Sequence, residues 1–136
     1  MQKPVIVASG PVIIENEKVL LNKHGDDNFW KFVGGRVEDY GVSLEDCAKR
    51  EVKEEMGLAI EIIRPLKPMM VEMPEKVVIL IHYLANRIGE VKPGEDIKEW
   101  DWHDIHNLPE DVAPNIKPVI EEYIESSKTF DKYNQI

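Results

Sequence analysis

Ser43-Leu44-Glu45-Asp46-Cys47-Ala48-Lys49-Arg50-Glu51-Val52-Lys53-Glu54-Glu55-Met56-Gly57 holds no glycine or proline before its last residue. Ser43 with Asp46 three places on is a weaker form of the capping box, and Gly57 supplies the usual stop, so a helix ending at Met56 is expected. With Leu44 at zero and about 100° per residue, Leu44, Cys47, Ala48, Val52 and Met56 fall in one apolar stripe. Lys49, Lys53, Asp46 and Arg50 fall opposite, at about 140° to 240°. Glu51 and Glu55, at about 340° and 20°, lie inside the apolar stripe, and Glu54, at about 280°, lies on its edge. A Lys/Glu-rich helix with solvated charges would put its acids on the other side.

Inward carboxylates without partners cost several kcal/mol or take up protons, so a cluster this tight calls for cations. Oxygen-only ligands at such spacing suit Mg²⁺ or Mn²⁺.

N-terminal to this helix, Val5 to Ala8, Val12 to Ile14 and Val19 to Leu21 read as strands broken at Gly10-Pro11 and Glu15-Asn16-Glu17, the last two forming a hairpin. A polar loop from His24 to Asn28 leads into Phe29-Trp30-Lys31-Phe32-Val33, which ends at Gly34-Gly35, where backbone can turn or approach a ligand closely. C-terminal to the helix, Ala59 to Ile63 and Val77 to Ala85 read as strands, separated by a Pro- and Met-containing stretch from Pro65 to Pro74 that bulges or crosses the surface. Lys98 to Trp102 reads as a short strand, Ile116 to Ser126 as a helix capped by Asn115, and the chain from about residue 128 as a fraying polar tail. Strands, one helix, more strands and a closing helix imply mixed α/β layers, with both helices covering a sheet.

The 136 residues suit one domain, 1–136. With 43% hydrophobic and 32% charged residues the chain can bury a core, which excludes most disordered readings. Seventeen Lys and Arg against 26 Asp and Glu leave a net charge of −9, which repels long nucleic acid but admits a polyphosphate whose charge metal ions neutralise. The lone Cys47 and a start without a basic segment and long apolar stretch lead us to expect a reducing cytoplasm. No apolar run is long enough for a helical membrane span.

Gly34-Gly35-Arg36-Val37-Glu38 followed by Arg50-Glu51-Val52-Lys53-Glu54-Glu55-Met56-Gly57-Leu58 closely resembles the Nudix box of the Nudix hydrolases, the MutT-like pyrophosphohydrolases. The second half follows that family's pattern, Arg-Glu-apolar-any-Glu-Glu-any-Gly-apolar, at every position, with the whole box at about 35–58. The resemblance implies the family's α/β/α sandwich with a mixed central sheet. It also implies Mg²⁺- or Mn²⁺-dependent hydrolysis of a pyrophosphate bond in a nucleoside diphosphate linked to a group X. In that pattern Glu51, Glu54 and Glu55 hold the metal, a carbonyl near Gly35 adds a ligand, and Arg50 orients the glutamates. The metals would neutralise the pyrophosphate and activate water near neutral pH. Trp30, Gly34, Gly35 and Arg36 are then candidate substrate contacts, with Trp30 and Phe29 either stacking on a base or packing in the core.

The chain departs from the pattern at one place. Gly35 to Arg50 is one residue longer than in the family, and Val42 stands where the family has a glutamate. Val42 is expected to anchor helix entry against Cys47, and Glu38 or Asp39 to replace the missing partner of Arg50. A loop acid distant from the box often assists in the family, and Asp96, with Glu95 next, aligns with it.

His103 and His106 lack zinc-like company, and His24 and His82 stand alone in the sequence. Pro74 lies near where ADP-ribose-cleaving relatives carry a characteristic proline, and the tyrosine marking dinucleoside polyphosphate hydrolases is missing. The expected substrate is a nucleoside triphosphate or an ADP-ribose-like nucleotide sugar; capped RNA fits the charge less well. The rival from another class is a catalytically silent nucleotide sensor, suggested by Val42 and opposed by the three retained glutamates. A homodimer is left open.

Overall fold

The β-branched residues of the first third build one long strand and a hairpin. In the computed structural model, which describes residues 2–134 with side chains through Lys128, β1 runs Val5–Glu15 and β2 Lys18–His24. Between them Asn16 and Glu17 turn the chain at φ of 52° and 64°. β1 is not broken at Gly10-Pro11. Pro11 falls between the part of β1 paired with β4 (Gly35–Arg36), at Ala8 and Ser9, and the part paired with β2, at Ile14 and Glu15. On that side of β1 no pairing includes Pro11, so the missing N–H costs least there, while on the other side Pro11 stands opposite Tyr83 in a parallel ladder.

β1 lies parallel to β7 (Val77–Ile88) over nine residue pairs, Val5↔Val77 to Ile13↔Ala85, and every other ladder is antiparallel, so the sheet is mixed. β3 (Lys31–Phe32) and β8 (Ile97–Asp104) both pair with β2. β5 (Ala59–Pro65) pairs with the C-terminal half of β7, and β6 (Met69–Glu72) with its N-terminal part. The sequence between Pro65 and Pro74 was expected to bulge or pass over the surface; Met69–Glu72 instead completes the edge of β7, because four residues without strong alternation still pair when an open edge is offered.

Two helices cover the two faces. In α1 (Leu44–Met56), Cys47, Ala48, Val52 and Met56 are buried. Val52 and Met56 pack with Ile13, Leu20 and Val33. From α2 (Ile116–Asn134), Ile116, Val119 and Ile120 pack with Val12, Val19, Leu21 and Phe32. Successive strand residues point to opposite faces, so Val12 and Ile13, Val19 and Leu20, and Leu20 and Leu21 divide the core into two layers with the sheet between them.

Three expectations at the helix ends are corrected. α2 continues to Asn134, past the expected end at Ser126; no glycine or proline after Pro118 stops it within that span. Asn115 starts α2 through its carbonyl, which accepts from the Val119 N–H at 3.2 Å, while its side chain turns away to His82. Val42 is 44% exposed, so it does not staple the helix entry; Cys47 is buried without it.

Candidate functional site

α1 begins at Ser43, whose Oγ accepts from the Asp46 N–H at 3.1 Å, and ends at Gly57, whose φ of 65° is left-handed and whose N–H reaches the Lys53 carbonyl. These caps fix the rotation of the helix, and with it the direction of its acids. Glu51 and Glu55 are half-buried on the sheet side and Glu54 is exposed, the distribution that the 3.6-residue period predicts.

Glu51 faces the glycine turn. A methyl group on Gly35 would overlap the Glu51 carboxylate, so a larger residue there would make the Glu51 side chain swing away from the turn. Glu55 meets the same turn. Its Oε2 accepts from the Gly34 N–H at 3.3 Å and from Asn22 Nδ2 at 3.5 Å, and its Oε1 lies 3.3 Å from His24 Nε2.

Burial pushes the Glu55 carboxyl up to about 7, with the nearby Glu51 charge adding to the shift and the Gly34 N–H opposing it. Glu51 is also raised, first by burial and then by Glu54, against the pull of Arg50. Two neighbouring carboxylates that resist ionisation are stabilised by positive charge. Among the described residues no three Asp, Glu, His or Cys side chains close into a ready-made cage. The donor set nevertheless fits a hard divalent ion that keeps several of its waters, with Glu51 and Glu55 inward and Glu54 at the rim.

The loop acids are brought to this corner by backbone bonds. The Gly94 N–H donates to the Glu55 carbonyl at 2.8 Å and the Gly25 N–H to the Asp96 carbonyl at 3.2 Å, which docks the 94–96 loop on the end of α1. Asp96 and Glu95 are exposed, and the charge of Asp96 is felt at His24. Burial, with Lys31 next, holds the His24 imidazole below its ordinary value.

Arg50 is not met by Glu38 or Asp39, as the sequence led us to expect. Its guanidinium lies 3.6 Å from the Glu51 carboxylate, while Asp39 accepts from the Gly41 N–H and Glu38 acts on Glu51 as a repelling charge. Adjacency on the helix substitutes for the missing loop partner.

Beside the glycine turn opens a cavity of about 500 Å³. Gly34, Gly35 and Arg36 form the rim shared with the carboxylates, with Lys31 beside them and Phe29, Met73 and Pro74 among the apolar walls. Phe29 is 41% exposed. Trp30, the expected base contact, does not line it: its backbone pairs with Asp111 and Ala113, and its ring packs edge-on to His103 at 4.4 Å under Lys23. Adjacent residues of an extended chain point opposite ways, so one of the two aromatics had to turn inward.

Two polar residues that the sequence did not point to as part of the site, His82 and Asn115, also line the cavity. His82 is 3% exposed, and burial alone lowers its pKa to about 4, so it is neutral. Asn115 Nδ2 lies 3.0 Å from His82 Nε2; with the amide nitrogen as donor, the imidazole proton rests on Nδ1, which has no partner among the described residues. The signal was present in the sequence as the single polar interruption of the Val77 to Ala85 run. His24 and Asn22 carried no such signal, since a hairpin's exit strand reaches the end of α1 only through the sheet.

A family model described as the NUDIX domain matches residues 5–123. The chain is 32% identical over 127 residues to an ADP-ribose pyrophosphatase of Methanocaldococcus jannaschii, covering 89% of this chain and 73% of that protein. It is 25% identical over 123 residues to an 8-oxo-dGTP diphosphatase of Escherichia coli, covering 87% and 95%. The crystal structure of a MutT protein from Methanosarcina mazei Go1 superposes with a TM-score of 0.82 at 23% identity, covering 94% of this chain and 99% of that one, a likeness of fold.

Proposed function

Because the chain belongs to the Nudix family, we propose that it hydrolyses a pyrophosphate bond in a nucleoside diphosphate linked to X, a nucleoside triphosphate or an ADP-ribose-like nucleotide sugar. The observation that carries this reading is the meeting of the Glu51 and Glu55 carboxylates with the Gly34-Gly35 turn at the rim of a cavity of about 500 Å³. One end of such a site suits a polyphosphate, and the other suits a base.

In this reading Glu51, Glu54 and Glu55 hold Mg²⁺ or Mn²⁺, with the Gly35 carbonyl and Asp96 as further ligands. The bound cation supplies charge neutralisation on the pyrophosphate oxygens and acidity for the attacking water. Arg50 orients Glu51, and Arg36 and Lys31 attract the phosphates that the −9 net charge would otherwise repel. In the cavity the Phe29 ring offers a stacking face, and the neutral His82–Asn115 pair offers hydrogen bonds without placing charge beside a neutral base.

The test is product chromatography over nucleoside triphosphates, ADP-ribose, NADH and dinucleoside polyphosphates with Mg²⁺, beside Glu51→Gln and Glu54→Gln. Metal-dependent turnover, lost or reduced by at least about a hundredfold in Glu51→Gln, is expected. Nucleotide binding without turnover on any member would instead identify a silent sensor.

A further inference from the structure

We propose that His24 is a nitrogen ligand of the divalent cation at the carboxylate cluster, so that the centre prefers transition-metal ions such as Mn²⁺, Co²⁺ and Zn²⁺ to Mg²⁺. The inference rests on the metal-dependent reading above and names a donor of a different chemical kind.

His24 ends β2 at an irregularity. The ladder between β2 and β8 pairs Lys23 with Glu99 but His24 with Ile97, so the register slips between Lys23 and His24. Such a slip re-aims the side chain that follows it. The new direction is fixed by Asp27, whose Oδ2 accepts from the His24 N–H at 3.0 Å while its own N–H donates to the His24 carbonyl at 2.9 Å. The backbone is clamped on both sides, and the imidazole is carried to the end of α1.

There the contacts are incomplete. His24 Nε2 is buried and has no hydrogen-bond partner, although Glu55 Oε1 is only 3.3 Å away. The two are close enough for an ion pair were the imidazole protonated, but they make no hydrogen bond. Glu55 Oε2 is already occupied by the Gly34 N–H and Asn22, which leaves Oε1 as the oxygen facing the imidazole. Asn22 is fully buried and its Oδ1 likewise lacks a partner. A buried nitrogen and a carboxylate oxygen side by side, close but not bonded to each other, are two donors directed at a third body. Ligand bonds of about 2.1 Å at a right angle separate their donor atoms by about 3.0 Å, close to what is seen here. Mg²⁺ takes oxygen almost exclusively, whereas imidazole adds affinity for later first-row ions.

Pulsed electron paramagnetic resonance of the full chain loaded with Mn²⁺ tests this directly, because a directly bound imidazole imprints ¹⁴N modulation on the ion and oxygen ligands do not. Modulation is expected in the wild type and is expected to vanish in His24→Gln, with Mn²⁺ affinity falling about tenfold or more and Mg²⁺ affinity changing little. Should His24→Gln fold poorly, wild-type protein grown with ¹⁵N-histidine must convert the signal to ¹⁵N. Mn²⁺ bound without nitrogen coupling, or coupling that survives in a folded His24→Gln, overturns the proposal. Turnover with oxygen-only Mn²⁺ would leave hydrolysis standing without His24, and nitrogen coupling without turnover on any nucleotide would leave His24 standing without hydrolysis.

Discussion

Glu55 concentrates the chemistry of the site in one titratable group. Its carboxyl moves from an ordinary 4.5 up to about 7 because the fold buries it beside Glu51. Below the lower value the folded and unfolded chains are both protonated at this position, and between the two values only the folded chain keeps its proton. The Glu55 contribution to the stability of the metal-free protein therefore falls as pH rises through this window, and its penalty is complete above it. His82, held down at about 4, contributes in the opposite sense, so the comparison of variants rather than the wild-type profile isolates Glu55. Glu55→Gln is expected to raise the melting temperature of metal-free protein at about pH 8 and to change it little at about pH 4. A divalent cation binds the ionised form, so added Mn²⁺ should stabilise the wild type more at about pH 8 than at about pH 5. Differential scanning calorimetry at these pH values checks both; equal melting temperatures of metal-free wild type and Glu55→Gln at about pH 8 would contradict the burial of this acid. Residue type announced that Glu55 was chemically important, because an acid inside an apolar stripe is visible on a helical wheel. Its contacts with Asn22 and His24 were not visible, since nothing in the composition of β2 states which helix end it reaches.

The helix α1 was legible nearly to the residue. Ser43, Asp46 and Gly57 are local signals, and their hydrogen bonds form within one turn of the chain that encodes them. Ser43→Ala is expected to cost about 1 kcal/mol by removing a partner for the Asp46 N–H. Gly57→Ala is expected to cost more, about 1–2 kcal/mol for the left-handed backbone, with a further penalty because the added methyl would lie 2.9 Å from the Lys92 carbonyl and Cβ. Urea denaturation of the two variants gives the order; a milder effect at Gly57 than at Ser43 would show that the end of α1 relaxes freely. Elements defined by their neighbours were less legible. β6 exists because β7 offers an edge, α2 runs past Ser126 because nothing stops it within the described span, and Val42 stays exposed because Cys47 finds its contacts in the core.

At the scale of the molecule, one mixed sheet separates two apolar layers, with α1 serving one and α2 the other. Met56→Ala and Ile120→Ala remove fully buried side chains from different layers and are each expected to cost about 2–5 kcal/mol. With no shared layer, their effects should add to within about 0.5 kcal/mol in the double variant, as equilibrium unfolding would show; strong coupling would mean the layers communicate through the sheet. Among the described residues no helix is long and apolar enough to cross a membrane. The sequence by itself determined α1, its caps, the inward face of Glu51 and Glu55 and the family motif, because helix period and capping act over three or four residues. Only the tertiary structure decided that Phe29 rather than Trp30 lines the cavity, that Arg50 leans on Glu51, that His82 and Asn115 meet across 33 positions, and that His24 stands beside Glu55. Those contacts depend on strand register and on which edges pair. Such choices are settled by burial over the whole sheet, and residue identity alone does not encode them.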